Sequence, residues 1–389
     1  MANETVPANR TTASGRRQII KGGAAITAGM ALVSVGLSRA KATGTSRATA
    51  PDSRKPLSLC GIVYDTGTNY WPGQLSRQIW NRAVVQEEMR VIRAQLLCNA
   101  ISISGTNIQR LEQAATAAFG QGLQVWMQPR LFDASRQDML TYLGEIATMA
   151  ETLGQRHGKL VLNVGCELSM FTQGFVEGGN FQERMATLQS SPVPLFPDIN
   201  KALGEHLAQA SEIARKHFKG EITYSPIPWE DVDWKLFDIV SANYYRDADN
   251  RSTYVEGLRE LRRHGKPVVI TEFGCSTFEG AEQRGGMGFD IIDFEQDPPR
   301  IKDGHVRSEQ TQATEIGNLL RLYKEEEIDG AFVYQFLSEG EVHSPDARYD
   351  LDMASHAIVK CHGIDLARGK IRWEPKLAFH DIARIYGQS

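Results

Sequence analysis

The chain has 389 residues, 41% of them hydrophobic and 23% charged, enough to build the core of one large domain or two smaller ones. A formal net charge of −4 and the lack of a long basic arm argue against nucleic acid as a partner. Five widely spaced cysteines, Cys60, Cys98, Cys166, Cys275 and Cys361, form neither a disulfide framework nor a Cys-x-x-Cys metal pattern.

Residues 1–42 read as a leader. Arg16 and Arg17 precede a Gly/Ala-rich, weakly apolar stretch from Gly22 to Leu37, and Ala40-Lys41-Ala42 offers a small-residue cleavage site. This resembles a twin-arginine export signal. It implies a bacterial protein that is secreted or extracytoplasmic and meets the twin-arginine translocase during export. A membrane anchor is the competing reading, but the uncharged run is short and rich in small residues, so no stable span is expected after processing. Residues 43–57 then form a linker, and 58–389 the folded domain.

From Pro51 onward one unit recurs: a short β-rich run, a loop, then a helical pattern. The predicted strands are Ser58–Tyr64, Ala100–Ser104, Leu123–Pro129, Leu160–Gly165, Glu221–Pro226, Ile239–Asn243, Pro267–Thr271 and Gly330–Phe336. Their continuous apolar character suits strands covered on both faces of a parallel sheet. Apolar periodicity predicts helices over Trp80–Leu96, Asn107–Phe119, Ser135–Leu153, Asn200–His217, Thr253–His264 and Glu309–Glu325, with a closing helix over Trp373–Arg384 entered through Pro375. The expected fold is α/β, a single (β/α)8 barrel with extended loops after strands four, seven and eight. A doubly wound sheet would place a Gly-rich phosphate fingerprint after an early strand, and Gly61-Ile62-Val63-Tyr64-Asp65 provides none.

In such barrels the working face lies at the carboxyl ends of the strands. Strand four runs out in Gly165-Cys166-Glu167-Leu168 and strand seven in Thr271-Glu272-Phe273-Gly274. A carboxylate where an apolar run ends is costly to bury unless it is paired or hydrogen-bonded. Two of them at one barrel mouth suit glycosidic-bond chemistry. Around them the strand ends contribute Asp65, Asn69, Arg130, Asn163, Trp229, Asn243, Tyr244, Tyr245 and Gln335 as candidate substrate-binding residues. Amides and charges bond sugar hydroxyls, while aromatic faces cover the apolar side of a pyranose ring. Trp71 is a second candidate platform, and Trp126, inside strand three, reads as core.

These two glutamate motifs resemble the acid/base and nucleophile strands of clan A glycoside hydrolases, a (β/α)8 superfamily. The resemblance implies retaining cleavage of a β-linked oligo- or polysaccharide without a cofactor, with Glu167 as acid/base and Glu272 as nucleophile. Glu167 would then need a raised pKa and Glu272 a lowered one, the latter supplied by Arg130 and a tyrosine. Cys166 stands where many members carry an asparagine that contacts the sugar 2-hydroxyl, so either Asn163 or another amide serves instead or the substrate differs. Tyr244 or Tyr245 is placed like the tyrosine that holds the nucleophile, and Gln335 or Phe336 falls where many members have tryptophan. The chain also resembles a group of actinobacterial secreted proteins often labelled abortive infection proteins, through Tyr64–Tyr70 and Tyr349–Ser355. Two alternatives stay open: a glycan-binding barrel of the same clan without catalysis, and a hydrolase of another bond. The stretch from His343 to His356 holds metal-ligand types at no defined spacing and reads as a solvated loop. Arg284–Gly288 reads as a mobile lid. A Cys166–Cys275 bridge across the mouth is also left open.

Overall fold

The alternation of apolar runs and amphipathic helices resolves into a ring of eight parallel strands in a computed structural model that describes residues 57–70, 73–190 and 195–388. The expected leader, nearly all of the linker, and Trp71 lie outside the described residues. The barrel strands are β1 (Leu59–Asp65), β2 (Ala100–Gly105), β3 (Gln124–Pro129), β4 (Leu160–Cys166), β5 (Glu221–Ser225), β6 (Val240–Asn243), β7 (Val268–Phe273) and β8 (Gly330–Val333). The helices are α1 (Arg82–Ala94), α2 (Ile108–Gly120), α3 (Arg136–His157), α4 (Leu168–Phe171), α5 (Phe181–Ser190), α6 (Phe196–His217), α7 (Tyr254–Arg262), α8 (Glu309–Glu325) and α9 (Leu377–Tyr386). Asn81, Asn107, Ser135 and Ser308 begin α1, α2, α3 and α8, each accepting a bond from a first-turn N–H that the helix itself leaves unpaired.

Two features are new and one expectation changes. Between β5 and β6 stands only the 3-10 turn Trp234–Leu236, because β6 begins too soon after it for a crossover helix. The loop after β4 carries α4 and α5. Trp373 and Pro375 belong to a hairpin of β9 (Val359–Asp365) and β10 (Lys370–Pro375), so the closing helix starts only at Leu377.

Strands neighbour one another in the order β5-β4-β3-β2-β1-β8-β7-β6. The last junction, β5 against β6, is closed differently. Backbone bonds mark its ends, Asp238 N–H to Ile222 O at 3.0 Å and Asn243 N–H to Pro226 O at 3.2 Å. Between them hydroxyls replace the ladder: Thr223 Oγ1 donates to Ile239 O at 2.9 Å and Ser241 Oγ to Tyr224 O at 2.6 Å. Inside the ring, Val63, Ala100, Trp126, Val161, Ile239, Val269 and Phe332 pack into one apolar layer, and Trp126 is core as expected. Two residues further along the strands the lining turns polar, with Ser102, Gln128, Asn163 and Thr271, all buried.

The stretch His343–His356 is a solvated loop only in part: residues 345–349 are exposed, whereas the residues after them turn inward. Asp350 and Asp352 are buried, and Arg307 meets both at 2.9 Å while Lys376 Nζ lies 2.9 Å from Asp352. Charges taken out of water persist only when paired, and here the partners come from the start of α8 and the residue before α9. No group of side chains suited to a metal ion occurs among the described residues. The expected lid segment is likewise packed. Gly285 O accepts from His356 Nε2 at 3.1 Å, and a Cβ at Gly288 would fall 1.9 Å from Ser276 Oγ. All five cysteines are buried and none forms a disulfide, so Cys166 and Cys275 are not bridged.

Candidate active site

Strict alternation along β4 and β7 would send adjacent residues to opposite faces of the sheet. Both strands break that rule at their carboxyl ends. The β4–β5 register shifts between Asn163 and Cys166, and the β7 registers shift against β6 and β8. A bulge re-aims the side chains beyond it. As a result Thr271 and Glu272 both face the barrel interior, while Phe273 turns outward onto Tyr323 of α8. On β4, Cys166 faces inward, and Glu167 follows in a left-handed backbone conformation with φ 50° and ψ 42°. For a residue with a Cβ that conformation costs roughly 1–3 kcal/mol and is tolerated where neighbours enforce it. Here Glu167 N–H bonds Ser225 O at 2.9 Å, Leu168 N–H bonds the Tyr224 hydroxyl at 2.9 Å, and Ser169 N–H bonds Glu230 at 2.8 Å. Gly165 is needed beside them, since a Cβ there would lie 2.6 Å from Leu168 Cδ1.

The two carboxylates converge on one cluster. Arg130 Nη2 forms an ion pair with Glu272 Oε1 and approaches Cys166 Sγ at 3.5 Å, while Arg130 Nη1 donates to the Tyr70 hydroxyl at 3.1 Å. Tyr245 donates to Glu272 Oε2 at 3.5 Å. Asn243 Nδ2 donates to Glu167 Oε1 at 2.9 Å and to Cys166 Sγ at 3.3 Å, and Cys166 Sγ lies 3.9 Å from Glu272 Oε1. Burial, and then the charge of Glu272, push Glu167 up to about 8. Burial also raises Glu272, with Arg130 the strongest opposing influence. The expected lowering of Glu272 is therefore not met, because desolvation outweighs the guanidinium. Only Glu272 touches a cation, so in the singly ionised pair the charge rests on Glu272 and the proton on Glu167.

Other expected residues are placed differently. Asp65 accepts from Gly67 N–H at 2.9 Å and Thr68 Oγ1 at 3.1 Å, organising its own loop. Asn69 Oδ1 accepts from Phe132 N–H at 3.0 Å and its Nδ2 donates to Phe132 O at 3.2 Å, joining the first and third loops. Tyr244 turns away and stacks on Tyr254 with ring centres 4.4 Å apart, leaving Tyr245 as the tyrosine beside Glu272. Trp229 is half-buried, with its Nε1 donating to Ser169 Oγ at 3.2 Å, against the cluster of Met170, Phe181, Met185 and Ile227. Asn163 is spent inside the barrel on Gly165 N–H and Ser225 Oγ. The side-chain Oε1 of Gln335 is buried with no hydrogen-bond partner.

Sequence reasoning missed Tyr70 and Tyr334, which share a hydrogen bond and flank Arg130. Tyr334 was hidden inside a run read as continuous strand, although a tyrosine after Gly330–Val333 was a usable signal. It also missed His356, whose ring lies 5.8 Å from that of Tyr245 and which burial holds at about 4, a neutral backing for the site.

No family model matches the chain, and no curated protein does. Solved structures match at the level of fold. A GH113 β-1,4-mannanase aligns at 12% identity with a TM-score of 0.55, covering 85% of this chain and 99% of the mannanase. A β-glucosidase (1317) aligns at 13% identity and TM-score 0.51, covering 85% and 98%. A hyperthermophilic β-glucosidase from Pyrococcus furiosus aligns at 9% identity and TM-score 0.51, covering 86% and 96%. The fold that this chain shares with these structures is the (β/α)8 barrel.

Proposed function

We propose that the chain is a retaining glycoside hydrolase acting on a β-linked glycan, with Glu272 as nucleophile and Glu167 as acid/base. One observation carries this reading: Glu272, buried at the end of β7, and Glu167, half-buried just beyond β4, meet at one mouth, and only Glu272 is paired with a cation. Glu272, oriented by Arg130 and Tyr245, attacks the anomeric carbon and forms a glycosyl ester as the glycosidic C–O bond breaks. Glu167 gives its proton to the departing oxygen. It then takes a proton from water, which attacks the same carbon and frees Glu272. The buried amides and tyrosines suit a ligand rich in hydroxyls. The Arg16-Arg17 leader and the likeness to secreted actinobacterial proteins favour an exported enzyme with an extracytoplasmic glycan as substrate.

The test is covalent labelling with 2-deoxy-2-fluoro glycosides bearing an activated leaving group. Mass spectrometry should place one glycosyl adduct on the peptide containing Glu272, and Glu272→Gln should take no label and lose turnover while staying folded. A fully active Glu272→Gln protein ends this reading. Glycan-array binding without any label or turnover would favour the non-catalytic barrel.

A further inference from the structure

The polar layer beneath Glu167 is wired in one direction. Gly165 N–H donates to Asn163 Oδ1 at 3.2 Å, which leaves Asn163 Nδ2 to donate to Ser225 Oγ at 2.6 Å. Ser225 Oγ donates to Thr271 Oγ1 at 2.8 Å, and Thr271 Oγ1 donates to Asn243 Oδ1 at 3.0 Å. Asn243 then has only its N–H groups left to face Glu167 Oε1, at 2.9 Å. All four side chains are at most 3% exposed, so no water replaces a lost partner.

A hydroxyl can donate or accept, whereas a backbone N–H only donates, and an amide turned over exchanges its two roles. Turning Asn243 so that its oxygen faces Glu167 would aim its N–H at Thr271. Thr271 would then donate to Ser225, which would still accept from Asn163 and would lose the acceptor for its own buried proton. Relief would require Asn163 to turn as well, leaving two N–H groups opposed at Gly165. The Gly165 amide thus sets the polarity of the whole series. We propose that this series, Asn163–Ser225–Thr271–Asn243, is a positioning device that obliges Asn243 to present an N–H to Glu167 and so biases the acid/base towards its ionised form. The inference rests on the role given to Glu167 above. It makes Asn163 and Asn243 positioning residues instead of substrate ligands, and it gives Ser225 and Thr271 a function.

The device works against its surroundings. Glu167 is also faced by Glu272 from β7, Glu230 from the loop after β5, Cys166 from β4, Tyr245 from the loop after β6, and Arg130 beyond β3. Burial and the two glutamates favour the protonated form, and Asn243 and Arg130 oppose them. A donor locked towards Glu167 keeps the proton loose enough to leave in the first step and to be regained in the second.

The experiment compares Thr271→Val, which removes the hydroxyl at nearly constant volume, with Thr271→Ser, which keeps it. With its oxygen released, Asn243 is free to turn and accept a bond from protonated Glu167. In Thr271→Val the alkaline limb of the kcat/KM profile should rise by about half to one pH unit, the worth of one neutral hydrogen bond, with the acid limb unmoved. Thr271→Ser should restore the wild-type limb. Should Thr271→Val not fold, Ser225→Ala takes its place, with a shift of the same sign. A direct 13C-carboxyl titration of Glu167 in the whole chain, assigned by its loss in Glu167→Gln, should show the same rise whether or not any glycoside is turned over. An unmoved Glu167 titration in a folded variant overturns the device, while a moved titration in a protein that labels with no fluoro-sugar overturns only the glycosidase reading.

Discussion

Replacing Glu167 by glutamine should stabilise the protein, and by an amount that depends on pH. The structure sets both sign and size. Glu167 has an ordinary value of 4.5 and is held at about 8 in the fold, chiefly by burial. Between those limits the folded state keeps a proton that the unfolded chain has released, so folding stability falls as pH rises through the window. Each pH unit costs roughly 1.4 kcal/mol, which gives a ceiling of roughly 5 kcal/mol by pH 8. Partial exposure of Glu167 makes that figure an upper bound. Glutamine carries no such burden, and its side-chain oxygen can still accept from Asn243. Urea unfolding of both proteins at constant ionic strength from pH 4.5 to 8 should show coincident midpoints at the acid end. From there the midpoints should separate steadily in favour of the variant. Parallel curves across the window would show that Glu167 is not held protonated, and the division of labour between the two carboxylates would go with it.

Two further outcomes follow from the geometry. Tyr245→Phe removes a hydroxyl 3.5 Å from Glu272 and should lower kcat by about 10- to 100-fold, whereas Tyr244→Phe, which alters a ring stacked on Tyr254, should leave kcat/KM within about twofold. Steady-state kinetics on one aryl glycoside checks both. Asp352→Asn leaves Lys376, fully buried, without the carboxylate beside it and should destabilise the fold by about 3–5 kcal/mol near neutral pH. That loss should shrink towards about pH 10, where lysine sheds its proton even in the unfolded chain. Denaturation midpoints at several pH values would show it.

The eight strands were legible because a strand covered on both faces is a run of Val, Ile and Leu that needs no partner to be recognised. Glu167 and Glu272 were legible for the same local reason, each closing such a run. What lay hidden depends on register. A bulge is a relation between two strands, and nothing within Pro267–Gly274 alone says that Thr271 and Glu272 share a face. Tyr244 and Tyr245 are equivalent in sequence, and only the path of the chain leaving β6 separates them. Asp65 and Asn69 looked available because their partners, Thr68, Thr106 and Phe132, are loop residues whose approach no periodicity encodes. The ion pairs of Asp350 and Asp352 depend on Arg307 and Lys376, which are brought from different elements by the close of the barrel.

The shifted register at the end of β7 has a further consequence. It turns a single dipeptide, Thr271-Glu272, into a junction: Glu272 pairs with Arg130, while Thr271 donates to the amide of Asn243, which in turn donates to Glu167. Insertion or deletion of one residue within this strand would displace both at once, so the length of the segment is constrained as tightly as these two side chains.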